Sequence, residues 1–291
     1  MRRKRMLSFV AIAITAILLL LPGCGKKEEK PAEETKPVEQ ELSGVVKLSG
    51  STTVLPLVQE AASRFMDENP EVDVEVQGGG SSVGITQVKE GVVDIGMSSR
   101  DLKSEENDGS LVDHKIALDI IAIVVHPEVN VSSLTSDQVK AIFTGQIKKW
   151  SEVGGSGGDI VVVVRDKASG TREMFDEKAL GSSKDAPVEP VASAIECNSN
   201  GMVRETVAST KNSIGYLSIG YLDESVKTVK YNDVEPVLEE AKAGKYTLSR
   251  YLRLFTKGTP TGAAKAFIEY VMGDEFQRAV VSKDYIPIYE L

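Results

Sequence analysis

The chain has 291 residues, 43 acidic against 34 basic side chains, a formal charge of −9 and two cysteines. This balance speaks against a nucleic-acid partner and against a disulfide scaffold, and 41% hydrophobic residues over that length are enough for a core with two lobes. The two histidines, His114 and His126, lie in no Gly/Ser turn, and no HExxH, Cys/His cluster or GxxxxGK[ST] occurs. Metal and nucleotide chemistry therefore have no support, no cofactor is expected, and a Ser–His nucleophile has no visible partner.

In chain order, residues 1–23 read as a signal peptide, because Arg2, Arg3, Lys4 and Arg5 precede sixteen uncharged residues, Met6 to Leu21. Sixteen apolar residues fall short of the ~20 that a spanning helix needs. The run ends in Leu21-Pro22-Gly23-Cys24, which resembles a bacterial lipobox, so Cys24 is the expected lipidation site and an uncleaved anchor is the alternative. Residues 24–43 are dense in Lys, Glu and Pro, with Val38 the one aliphatic side chain larger than alanine between 25 and 41, and read as a disordered tether. Loss of residues 1–23 removes four basic side chains and moves the charge from −9 to −13. An acidic protein of this kind binds an anion only through short-range amides, hydroxyls and isolated cations.

The folded region begins with a short strand at Val45–Leu48, the turn Gly50-Ser-Thr-Thr53, and a helix with Leu57, Val58, Ala61, Ala62 and Phe65 at helical spacing, Pro56 fitting its first turn. The plan repeats: Val72, Val74 and Val76 alternate into Gly78-Gly-Gly-Ser-Ser-Val-Gly84 and a helix to about Glu90. A third strand, Val92–Met97, runs into Ser98-Ser-Arg-Asp101. Ala117–Val125 is a continuous apolar run suited to a strand buried on both faces. Thr135 or Ser136 ahead of Gln138 opens a further helix, and Trp150, closing that unit, reads as a packing anchor or a cleft residue.

The β-branched run Ile160–Val164 stops at Arg165-Asp-Lys-Ala-Ser-Gly-Thr-Arg172 and continues as a helix to Leu180. Such a strand–turn–helix leaves backbone N–H groups without partners, a ready site for an anion, with Ser169 and Thr171 around Gly170 and the Arg165 fork converging on it. The plain alternative is a helix cap by Ser169 or Thr171 with Arg165 and Arg172 in surface ion pairs. Cys197 reads as a small buried apolar residue. Beyond it come Asn198-Ser-Asn-Gly201, a helix from Met202, the glycine-containing strand Ile214–Tyr221, and helices at Ala263–Met272 and Glu275–Val281. Strands alternating with helices imply an α/β fold with a mainly parallel sheet, and all four Ser/Thr-rich turns fall at strand carboxyl ends, where such sheets bind ligands.

With these motifs in hand the chain resembles the PstS-type family of phosphate-binding lipoproteins, the solute-binding components of phosphate ABC transporters. The resemblance rests on SGSTTVLPL (49–57), GGGSSVGI (78–85), DIGMSSRDL (94–102), LTSDQVKAIFTGQIKKW (134–150), RDKASGTRE (165–173) and SIGYLSIGYLD (213–223), in that order. It implies a two-lobed periplasmic-binding-protein-like α/β fold of type II, two mixed sheets flanked by helices and joined by two hinge strands. Lobe one would comprise 44–124 and 235–291, and lobe two 125–234. Family phosphate contacts fall on Thr52, Thr53, Ser81, Arg165, Ser169, Gly170 and Thr171, with Ser99 where many members carry an aspartate that accepts the proton of bound phosphate. Asp101 is then the candidate proton acceptor if its turn folds inward, or else a rim residue paired with Arg100 or Lys103.

The resemblance implies a binding protein, not an enzyme: a monomer, lipid-anchored on the outer face of the cell membrane or in the periplasm, that captures inorganic phosphate in an interlobe cleft and delivers it to ABC permease membrane subunits. The alternatives are a protein for another tetrahedral oxyanion such as sulfate, or a secreted phosphoester hydrolase.

Overall fold

The computed structural model describes residues 42–291. The expected signal peptide, Cys24 and the tether as far as residue 41 lie outside the described residues. Among the described residues no helix is long and apolar enough to cross a membrane.

The first half alternates strand and helix as its sequence pattern requires. β1 (Gly44–Gly50) leads to α1 (Leu55–Glu68), β2 (Val72–Gly78) to α2 (Ser81–Glu90), and β3 (Ile95–Ser98) closes a parallel trio in the order β2-β1-β3. β3 starts later than the sequence pattern suggests, because Gly91 ends α2 in the left-handed region and the Val92 amide turns back to the Gln87 carbonyl. Gly50, with φ of +132°, tolerates no side chain: a Cβ there would collide with the Met97 carbonyl and lie 2.9 Å from the Gly84 Cα. The first turn is thereby held hard against α2 and β3.

β4 (Leu111–Val125) is the long strand that the apolar run predicts. The chain continues through β5 (Ser133–Leu134), α3 (Ser136–Phe143) with a Thr135–Gln138 capping box, β6 (Val161–Arg165), α4 (Gly170–Lys178), β7 (Ile195–Cys197), α5 (Asn200–Ser209), β8 (Ser213–Ser218) and β9 (Lys227–Tyr231). α6 (Leu238–Lys242) precedes β10 (Ser249–Lys257), and α7 (Gly262–Met272) precedes a helical stretch over 274–284 that widens to a π-turn at Gln277–Val281. β11 (Ile286–Pro287) pairs with β4.

The sheets are mixed, not mainly parallel, because β4 and β10 cross the molecule in opposite directions. β4 pairs antiparallel with β10 along its first part and with β8 and β9 from Ile121 onward. Two hydrophobic clusters sit on either side of this crossing. One holds Leu48, Leu57, Phe65, Ile95, Ile116, Leu252, Leu254 and Phe267, the other Ile121, Ile123, Phe143, Trp150, Val162, Phe175, Tyr216 and Leu248. The second is anchored by Phe175 stacked on Tyr216 at 3.9 Å and by Phe143 edge-on to Phe175 at 4.8 Å. Burial of each such ring contributes about 1.5–3 kcal/mol. Trp150 is fully buried there and donates from Nε1 to the Asn212 carbonyl, so it is a packing anchor.

Each cluster is the core of one lobe, and β4 and β10 are the two strands joining them. β4 passes from the first core at Ile116 and Ala117 to the second at Ile120 and Ile121, and β10 returns from Leu248 to Leu252. Asp119 and Arg250, register partners in this ladder, fall between the cores.

Candidate functional site

Four strand ends converge where the lobes face each other. At the end of β1, Ser51 donates its amide to the Met97 carbonyl at 2.9 Å and accepts the Thr53 amide at 3.2 Å, which sets Thr52 and Thr53 just before α1. At the end of β2, Gly80 precedes α2 without any side-chain cap, leaving that helix start to other acceptors. Ser81 accepts the Ser99 amide at 3.0 Å, and their hydroxyls lie 3.3 Å apart. From the facing lobe, β6 ends at Arg165 and α4 starts at Gly170, with Ser169 capping the Arg172 amide at 3.1 Å. The capping alternative is thus real for Ser169, but a hydroxyl that accepts still has a proton to donate.

The structure brings Thr52, Thr53, Ser81, Ser99, Arg165, Ser169, Gly170 and Thr171 together, all buried. Thr53 and Thr171 touch across the cleft, Oγ1 to Oγ1 at 2.9 Å, and the Ser82 amide donates to the Ala168 carbonyl at 3.1 Å. Gly170 is required by this approach: a Cβ on it would fall on Ser81 Oγ and lie 2.9 Å from Ser99 Oγ. Arg165 is no surface residue. Its Nε donates to the Cys197 carbonyl at 3.3 Å and Nη2 to the Asn198 carbonyl at 3.1 Å, while Nη1 is buried with no partner among the described residues. An unsatisfied buried donor costs about 1–3 kcal/mol, more when charged. Burial lowers the Arg165 pKa, against the opposing pull of Asp166, so the guanidinium gains from any anion placed before it. Arg172, in contrast, is committed to Asp176, Glu189 and the Arg165 carbonyl.

Asp101 is not brought to this cluster. Its side chain is 76% exposed and ion-paired with Arg253, which also holds Asp113. Nor does it pair through its carboxylate with Arg100, whose guanidinium is taken by Glu106, Glu173 and Ser82. The histidines lie elsewhere: His114 Nε2 meets Thr256 Oγ1, and His126 Nδ1 accepts the Glu128 amide.

Four residues join the cluster that sequence reasoning missed. Asn200, the first residue of α5, donates to Thr53 Oγ1 at 3.0 Å and Thr52 Oγ1 at 3.3 Å, its own oxygen accepting the Ser218 amide. Arg250 donates from Nη2 to Thr53 Oγ1 at 3.2 Å and to Asp119 at 2.9 Å. Asp119, fully buried, also accepts the Ser218 hydroxyl at 2.7 Å. Burial raises the Asp119 carboxyl and lowers Arg250, and each partner's charge opposes the shift of the other. The sequence carried one signal for this pair, the lone carboxylate inside the apolar run ALDIIAIVV, since a buried charge demands a partner. Tyr221, from the second lobe, adds a hydrogen bond to the Thr52 carbonyl at 2.5 Å, and burial pushes its phenol up to about 12.

Two lobes on crossing strands, with hydroxyls, an uncapped helix start and buried guanidinium groups facing across the cleft, define a solute-binding protein, and residues 31–275 match the PBP superfamily domain. The phosphate-binding protein PstS of Bacillus subtilis is 36% identical over all of this chain and 96% of its own length, and that of Borreliella burgdorferi 28% identical over 86% and 92%. Among solved structures, a putative phosphate ABC transporter substrate-binding protein from Clostridium perfringens, with bound phosphate, is 36% identical with a TM-score of 0.79, covering 84% of this chain and all of that one. An ABC-type phosphate transport receptor from Vibrio cholerae is 34% identical with a TM-score of 0.69, covering 83% and 99%. The chain belongs to the PstS family of phosphate-binding proteins.

Proposed function

We propose that this chain binds one inorganic phosphate between its lobes and delivers it to an ABC permease, as a monomer held to the outer face of a membrane by lipid on Cys24. The observation that carries the binding reading is the buried meeting of Thr52, Thr53, Ser81, Ser99, Ser169, Thr171 and the unpartnered Nη1 of Arg165 at four strand ends. Their hydroxyls, the uncapped start of α2 and the guanidinium are donors suited to a tetrahedral oxyanion. A micromolar site needs about 8 kcal/mol, and hydrogen bonds to a charged group contribute ~1.5–3 kcal/mol each, so a few of these donors suffice.

Protein stripped of ligand by unfolding and refolding should bind phosphate one-to-one in calorimetry and gain about 2.7 kcal/mol of stability at 100 times the dissociation constant. Arg165→Lys should weaken binding clearly and Arg165→Ala more, because a lysine offers a point charge in place of two parallel donors. No heat and no melting shift at millimolar phosphate would overturn this reading. Anchoring is tested separately: Cys24→Ser in the full chain should move the protein from the membrane to the soluble fraction, and an unchanged distribution points to an uncleaved anchor.

Sulfate is a second reading with an observation of its own. Ser99 stands where a carboxylate acceptor would read the phosphate proton, and Asp101 is turned away to Arg253.

A further inference from the structure

Among the described residues two guanidinium groups, not one, have a terminal nitrogen that is buried without a partner, Nη1 of Arg165 and Nη1 of Arg250. Arg250 is 3% exposed and stands on β10 directly across from Asp119 on β4, at the point where the crossing strands leave one core for the other. Asp119 Oδ2 takes both Nε, at 3.1 Å, and Nη2, at 2.9 Å, while Oδ1 is occupied by the Ser218 hydroxyl. The carboxylate thus fixes one edge of the fork and leaves the other free. Nη2 also reaches Thr53 Oγ1, the same atom that meets Thr171 and Asn200.

We propose that Arg250 is a second anion-binding arginine, delivered by the strand crossing and not by either lobe's turns, so that the bound oxyanion is gripped from both lobes and from the hinge between them. This rests on the phosphate-site reading above and adds to it a residue that no turn motif contains. Buried ion pairs are seldom superior to apolar packing for stability, so a fully buried pair placed beside the cluster's hydroxyls is better explained by a ligand than by the fold alone. The Thr53 hydroxyl, receiving hydrogen bonds from both Asn200 and Arg250, turns its own proton to Thr171 Oγ1 at 2.9 Å, which leaves the Thr171 proton to donate at the same place. The two guanidinium groups also lie within each other's field, Arg250 adding to the effect of burial in lowering Arg165. An anion between them removes that repulsion, and Asp119 limits it beforehand.

The test is phosphate calorimetry, with phosphate-free melting as the control, on wild type, Arg250→Lys and the paired Asp119→Asn/Arg250→Gln. Lysine can still pair with Asp119 but cannot hold it and present a second donor, and the paired variant removes both buried charges together, so one of the two retains a fold even if the other does not. Each folded variant should lose roughly ten- to hundredfold in phosphate affinity, the span of one charge-assisted hydrogen bond, with phosphate-free melting close to wild type. A melting loss with affinity within twofold of wild type means that Arg250 holds the fold only and overturns the proposal. Independently of any variant, the guanidinium NMR resonances of Arg250 in the wild-type protein should shift on addition of phosphate, and unmoved resonances also overturn it. Should wild type itself show no phosphate binding, the failure lies with the phosphate reading, a result distinct from normal wild-type binding matched by both variants.

Discussion

On the proposed reading of the site, anion choice turns on Ser99. Phosphate near neutral pH keeps at least one proton and sulfate keeps none, so a site tells them apart by placing an acceptor where that proton points. Ser99 is a weak discriminator because its hydroxyl rotates to donate to either anion, and here it sits 3.3 Å from the equally adaptable Ser81 hydroxyl. The Asp119 carboxylate in this cluster has both oxygens engaged, Oδ2 by Arg250 and Oδ1 by Ser218. Ser99→Asp should therefore raise the phosphate-to-sulfate affinity ratio at least tenfold, since sulfate would face a buried carboxylate with no proton between them. Asp101→Asn should leave the ratio as in wild type, because that side chain is exposed and held by Arg253. Competition calorimetry with both anions on the two variants measures this directly. A ratio unmoved by Ser99→Asp would mean that position 99 does not face the ligand.

At the scale of elements, the decisive contact is the start of α4 against the ends of β2 and β3. Gly170→Ala gives α4 a better helix former at a position without positive φ, so the separate lobes should be no less stable and by propensity alone up to about 1 kcal/mol more so. The added methyl would meet Ser81 and Ser99 across the cleft. Phosphate affinity should fall more than tenfold while phosphate-free melting holds, and calorimetry alongside a thermal melt separates the two effects. A variant that binds like wild type would show that the lobes need not approach this closely. The turns behind this prediction were legible in the sequence because each joins a period-two or β-branched run to a 3.6-residue pattern through Gly, Ser and Thr, a local signal. Arg250 and Asp119 were not legible by such means. In Ser249-Arg-Tyr-Leu-Arg-Leu254 alternation puts Arg250 on the face of Leu252 and Leu254, but nothing local names a partner for a charge there, and its pairing depends on β4, 131 positions away. Asn200 was hidden in the same way, since an Asn at a helix start reads as a cap, whereas Ser199 is the cap and Asn200 bonds the other lobe. Asp101 erred in the opposite sense: its turn was recognised, but which side of the turn faces the cleft is set by Arg253 on β10, a tertiary fact.

For the whole molecule the question is what keeps the lobes together. Each has its own apolar core, and the contacts between their facing surfaces are polar: Thr53 with Thr171, Asn200 with Thr52 and Thr53, Tyr221 with the Thr52 carbonyl, and Glu173 with Arg100 and Lys103 at the rim. Water competes well for such contacts, and pairs as exposed as Lys103–Glu173 contribute about 0–1 kcal/mol. Arg165, buried in the same cluster, also lies in the field of Arg250, which adds to the effect of burial in lowering its pKa. On the reading proposed above, the closed arrangement gains little without an anion, and with one the two guanidinium groups would be its main support. A ligand shifts an equilibrium only by its differential affinity for the two states, and a phosphate bound as proposed would reach both lobes only when they are closed. The expected outcome is a ligand-free population with the lobes apart and a phosphate-bound one with them together, the movement taken up in β4 and β10 near Asp119 and Arg250. Small-angle scattering should show the radius of gyration of the wild-type protein fall on saturation with phosphate, and fall less for Gly170→Ala at the same concentration. Tryptophan emission is the wrong probe, because Trp150 is sealed inside the second lobe's core and hydrogen-bonded within it, so its surroundings stay the same in both states. A ligand-free radius already equal to the phosphate-bound one would show that polar contacts alone close the cleft and that the opposing guanidinium groups do not hold it open.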